Sequence, residues 1–155
     1  MPRLLLFLPL LLSSCVDFPN QYAPSRERKP DATANPAKLK AFIDMKDPAA
    51  LAHLAWGVIP GAFDGESRKA EARSALRFFV VAPTNLKLSV DLDSAQPQTL
   101  SFKVNGKAVG TVAAQGPTHF EAPIDASEFV AESATLLEIE GEQGFRLRRA
   151  GFVGK

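Results

Sequence analysis

Leu86-Lys87-Leu88-Ser89-Val90-Asp91-Leu92-Asp93 sets an apolar side chain at every second position, with lysine, serine and aspartate between them. Side chains of an extended chain alternate between faces. This period of two therefore predicts a strand with one face in a core and the other in water. Leu100, Phe102 and Val104 repeat the pattern. Asn105-Gly106 follows, a pair that tolerates the positive φ of a type I′ hairpin turn. Lys107 to Val112 is then the return strand, with Gly110 marking a bulge.

Working outward, Leu76 to Val81 is a dense apolar run closed by Ala82-Pro83, as in a buried strand. Asp64 to Arg73 is polar and reads as a loop. Leu51 to Ile59 is apolar, holds Trp56 and breaks at Pro60-Gly61. Lys38 to Met45 fits a short helix or a strand equally well. On the far side, His119 to Ala122, Thr135 to Ile139 and Leu147 to Val153 are further strand candidates. Ala126 to Glu132 reads as a helical turn capped by Ser127. Seven or eight short strands between Gly, Pro and polar turns indicate an all-β fold, an antiparallel β-sandwich. No alternation with long helices supports a parallel sheet.

The run Gln98-Thr99-Leu100-Ser101-Phe102-Lys103-Val104-Asn105-Gly106-Lys107-Ala108-Val109-Gly110, followed by Thr135-Leu136-Leu137-Glu138-Ile139, resembles galactose-binding-like jelly-roll modules. The resemblance spans residues 50–153 in outline, and these two segments match closely. It implies two packed antiparallel sheets and a sugar-binding role. It transfers no ligand residue, because such modules differ in which loops bind.

The chain opens Met1-Pro2-Arg3 and continues apolar from Leu4 to Leu12, interrupted only by Pro9. One positive charge before a short apolar run fits a secretory signal, and the run is too short to cross a bilayer. Leu12-Ser13-Ser14-Cys15 resembles the lipobox of bacterial lipoproteins. That resemblance implies cleavage after residue 14, a diacylglycerol on the Cys15 thiol and acylation of the new amine. Cys15 is the only cysteine, so an internal disulfide is impossible and lipidation removes a lone thiol. Two or three acyl chains anchor firmly where one does not. Asp17 stands one place beyond the position of the family's inner-membrane retention signal, which is Val16 here. In a Gram-negative host that implies the outer membrane. From Val16 to Pro36, four prolines and the run Arg26-Glu27-Arg28-Lys29 read as a flexible tether, with residues 38–155 as the folded domain.

The formal charge of +1 falls to about 0 once Arg3 leaves with the signal, so nothing here attracts nucleic acid. Eleven phenylalanines against one Trp and one Tyr point to core packing. Among candidate ligand residues, Trp56 would floor a sugar site, with Asp64, Glu66 and Arg68 in the next segment supplying polar contacts. Its neighbours Leu54, Ala55 and Val58 favour core packing for Trp56, and a solvated loop is the simpler role for the other three. Asp91 and Asp93, with Asp125, would suit calcium, but a polar strand face accounts for them more simply. Alternation puts Arg146 and Arg148 on one face and Arg149 on the other. His53 and His119 belong to no metal or triad motif, and no phosphate-binding glycine loop occurs. The expectation is a non-catalytic envelope lipoprotein without cofactor. Its domain binds a glycan or, as the alternative, docks an envelope protein complex as a structural subunit.

Overall fold

The computed structural model describes residues 39–81, 86–130 and 133–154. The apolar run Leu4 to Leu12, the motif Leu12-Ser13-Ser14-Cys15 and the tether from Val16 to Pro36 lie outside these residues. The described chain forms seven strands: β1 (Phe42–Asp44), β2 (Leu54–Phe63), β3 (Arg68–Phe78), β4 (Leu86–Val104), β5 (Lys107–Ile124), β6 (Thr135–Glu140) and β7 (Phe145–Gly154). All of their pairings are antiparallel. The all-β antiparallel class read from the sequence is the class that forms.

Two long strands organise the domain. Leu86 to Asp93 and Leu100 to Val104 are not separate strands, as the sequence suggested, but two halves of β4. Lys107 to Val112 and His119 to Ala122 are likewise one strand, β5. The halves of β4 meet at a bend: Ser94 pairs with Gly116 and Gln98 with Ala114, so Ala95-Gln96-Pro97 face the single residue Gln115. Such extra residues kink a strand, and Pro97 needs no ladder partner there. Before the bend β4 pairs with β7, and after it with β6. Gln98 fixes the corner. Its Nε2 donates to Ser94 Oγ (2.9 Å), and its Oε1 accepts from the amides of Glu142 (3.1 Å) and Gln143 (3.0 Å).

β3 pairs with both β6 and β7, so β3, β6, β4 and β7 close a ring. β1 extends it beside β7, β2 beside β3, and β5 beside β4. The core fills the ring with Leu76, Phe78, Leu88, Val90, Leu92, Leu100, Phe102, Leu137, Ile139 and Leu147, all essentially inaccessible. Each such side chain contributes about 1.5–3 kcal/mol by leaving water. Phe102, beyond the bend of β4, stacks on Phe120 with ring centroids 4.0 Å apart, tying the two halves of the hairpin together. Phe78 and Phe129 meet Phe152 edge to face.

Other expectations need correction. The polar segment Asp64 to Arg73 is a loop only as far as Ser67. From Arg68 it is strand, with Ala70 buried between exposed Lys69 and Glu71. Alanine gives so weak an apolar signal that charges on the wet face masked the alternation. β2 continues through Pro60-Gly61, which an edge strand permits. Within the segment read as a short helix or a strand, Phe42–Asp44 form the short strand β1. The turn at Ala126–Glu128 is capped by Asp125, whose Oδ1 accepts the Ser127 amide (3.0 Å), rather than by Ser127. The hairpin turn is as read: Asn105 and Gly106 have φ of 50° and 82°. The bulge beside Gly110 arises because Val109 has no partner between Phe102↔Gly110 and Lys103↔Ala108.

Candidate functional site

The outward face of β1, β7, β4 and β5 carries charge on each strand. Asp91 on β4 lies opposite His119 on β5 and Arg149 on β7. His119 Nδ1 donates to Asp91 Oδ1 (2.5 Å), and its Nε2 is 3.3 Å from Glu121, which also pairs with Lys87 at 2.8 Å. The Asp91 hydrogen bond leads in raising the His119 pKa above its ordinary 6.5. The Lys87 hydrogen bond leads in lowering that of Glu121. Arg149 Nε bonds Asp44 on β1 at 3.1 Å.

The alternation that separated Arg148 from Arg149 fails here for a local reason. Asp91 pairs with Arg149 and Leu92 with Leu147, so Arg148 is an unpaired bulge residue. A bulge re-aims side chains, and both arginines line the same groove. Arg148 Nη2 is 3.5 Å from Asp93 and its Nη1 is 3.7 Å from Glu66. Arg146 turns instead to the loop after β2, with Nη2 2.6 Å from Asp64 and Nε donating to Ser67 Oγ at 2.8 Å.

That loop is built by Asp64. Its Oδ1 accepts the amides of Glu66 (2.9 Å) and Ser67 (2.7 Å), and its Oδ2 accepts from Ser67 Oγ (2.9 Å). Donation by the Glu66 amide leads in holding the Asp64 carboxyl well below the usual carboxylate range. The turn presents Glu66 at the groove rim, 3.8 Å from Lys46. The groove measures about 450 Å³, and Pro117 and Thr118 complete one wall. A second hollow of about 560 Å³ lies at the bend of the long hairpin, lined by Gln98, Thr99, Gln115 and Glu142. Thr118 belongs to both.

The four residues singled out from sequence are divided by this geometry. Glu66 lines the groove, and Asp64 supports it from the turn. Arg68 is 7% exposed; it donates to the Pro60 carbonyl and stands 4.7 Å over the Phe63 ring. Trp56 lies on β2 opposite Ala75, 37% exposed, apart from the groove lining. His53 is buried and fully engaged. Its Nε2 accepts the Lys40 amide (3.2 Å), so Nδ1 carries the proton donated to the Arg77 carbonyl (2.7 Å). Burial leads in lowering its pKa. Asp91 and Asp93 turn to separate basic partners, and Asp125 caps a turn elsewhere. Among the described residues no group of three His, Cys, Asp or Glu is placed to hold a metal ion. Sequence reasoning missed Asp44, Lys46 and Thr118, which the topology alone brings together. The adjacent charges Arg148-Arg149 interrupt the alternation of their strand, but only the register against β4 shows which of them is the extra residue.

No protein-family model matches the chain, and no curated protein matches it. Solved structures that it resembles include carbohydrate-binding modules. Carbohydrate-binding module CBM36 in complex with calcium and xylotriose aligns at 15% identity and TM-score 0.42, over 72% of this chain and 98% of that one. A glycoside hydrolase family 43 arabinoxylan arabinofuranohydrolase from Bacillus subtilis, in complex with cellotetraose, aligns at 10% identity and TM-score 0.46. Insecticidal crystal protein Cry2Aa aligns at 15% identity and TM-score 0.48. The last two matches cover 75% and 73% of this chain, but only 27% and 21% of those chains. At such TM-scores no property of those proteins follows for this one.

Proposed function

We propose that this chain is a lipid-anchored envelope protein whose domain, a jelly-roll-like sandwich, binds a carbohydrate in the groove between Glu66, His119, Arg148 and Arg149. The observation that carries the reading is the lining itself. Carboxylates and cations line the groove side by side, several fixed by cross-strand ion pairs. Sugar hydroxyls both donate and accept, so they match such a lining. Side chains already held in place lose little freedom on binding. The neighbouring hollow, with its amides and hydroxyl groups, suits the next unit of a glycan chain.

The anchor rests on Leu12-Ser13-Ser14-Cys15 and the apolar run before it. Cells fed an alkyne-bearing palmitate should label the wild-type protein and not Cys15→Ser. Label retained by Cys15→Ser would refute the anchor. For binding, the full-length protein is screened on an array of glycans and envelope polysaccharides beside His119→Ala, Arg149→Ala and Trp56→Ala, each checked for folding by circular dichroism. Loss of binding in folded His119→Ala and Arg149→Ala places the sugar in the groove; loss in Trp56→Ala alone moves it to β2. No binding by folded wild type refutes the carbohydrate reading.

A second reading, an assembly subunit that docks an envelope complex, draws on Leu51, Trp56 and Phe63. These stay 48%, 37% and 40% exposed on β2 and the turn before it. A photo-crosslinker in place of Leu51 that captures one envelope protein in cells would favour it. A crosslinker that captures nothing would count against it.

A further inference from the structure

The three arginines of β7 are not equivalent. Arg146 has close partners in Asp64 and Ser67, and Arg149 has one in Asp44. Arg148 is held more loosely: its ion pairs with Asp93 and Glu66 stand at 3.5 and 3.7 Å, and its buried Nε has no hydrogen-bond partner. Guanidinium–carboxylate bonds close at about 2.7–2.9 Å when the fork is engaged. Glu66, which faces Arg148 at 3.7 Å, faces Lys46 at 3.8 Å and bonds neither. A strand bulge thus aims a loosely paired guanidinium into the groove, near Lys46, with Asp93 on one side and the exposed rim carboxylate of Glu66 standing where an anion would sit.

From this geometry we infer that the groove selects a carboxylated sugar, a uronate, whose carboxylate docks bidentately on Arg148 and displaces Glu66. The inference rests on the carbohydrate reading above and adds the ligand's chemical class. A planar two-oxygen anion matches the guanidinium plane, and Lys46 supplies a second, point-like cation. The sugar hydroxyls then face His119, Asp91 and Thr118. Glu66 acts as a tethered competitor, so removing its charge strengthens binding rather than weakening it.

The test is titration calorimetry of the full-length protein with trigalacturonate, its methyl ester and neutral galactotriose. Wild type is compared with Arg148→Gln, Arg148→Lys and Glu66→Gln. The expected result is that the free acid binds at least about tenfold tighter than ester or neutral sugar. Arg148→Gln should abolish that preference, Arg148→Lys should keep part of it, and Glu66→Gln should tighten the acid alone. The acid's advantage should shrink as salt rises. Equal binding of acid and ester by wild type overturns the uronate inference while leaving carbohydrate binding standing, and needs no variant to fold. Undiminished acid preference in folded Arg148→Gln overturns it too. No binding of any of the three overturns it, and no binding across the wider array overturns the carbohydrate reading with it.

Discussion

The two histidines lie in opposite settings, and their titrations should part accordingly. His119 gains a carboxylate partner in the fold, so its pKa rises; His53 is taken out of water, so its pKa falls. Two-dimensional NMR of the imidazole protons should show His119 titrating above 6.5 and His53 below it. A His53 that titrates above 6.5 would contradict its neutral, doubly bonded state. The stability consequences have opposite sign. Stabilisation through His119 is full below 6.5 and disappears as pH rises through its raised folded value. The contribution of His53 is full above 6.5 and is lost as pH falls through its lowered folded value. In His119→Gln only the second remains. The variant's melting temperature should therefore drop further than wild type's between about pH 7.5 and about pH 5.5. Parallel curves would mean that the Asp91–His119 contact does not hold in solution.

At the scale of elements, the β4–β5 hairpin was half legible. Its alternation and its Asn105-Gly106 turn follow from strand geometry and turn sterics, which are local. What sequence could not convey was that Leu86 to Val104 is continuous, because Gln96-Pro97 also suits a chain break. Nor could it show that Arg148 is the extra residue of a bulge, because that depends on the register against Asp91 and Leu92. The groove inherits this opacity: its residues come from four strands and two turns. Gln98 is the test of the bend. Gln98→Ala removes the acceptor of two amides and a donor to Ser94, and should destabilise the domain by roughly 1–3 kcal/mol in urea denaturation. A change near zero would show that the ladder alone holds the corner. Phe102→Ala, which opens the stack with Phe120 inside the ring, should cause a larger loss of about 3–5 kcal/mol.

For the molecule as a whole, ring closure makes β7 the keystone. It pairs with β1 at one end of the described chain, with β3 and with β4. Without β7, β4 loses the edge partner of its first half, and β1 has no partner left among the described strands. A chain stopped after Gly144 should therefore lose its cooperative thermal transition and its β-type circular dichroism. A retained transition would mean that β3, β6, β4 and β5 fold without closure. Most of these contacts join residues far apart in sequence, as Phe42 with Gly151. Folding should accordingly fall in the millisecond-to-second range of barrel-like domains.

That same pairing of Phe42 with Gly151, reinforced by the Phe152 amide donating to the Ala41 carbonyl (2.7 Å), has a topological consequence. The first and last described strands begin and finish side by side, so the domain is close to a loop with no ends. A short glycine-rich splice between residues 40 and 154 would join them with little strain, and new termini could be opened at the exposed turn of Gly65. The unit is therefore suited to circular permutation, or to insertion as a cassette into the surface loop of another protein.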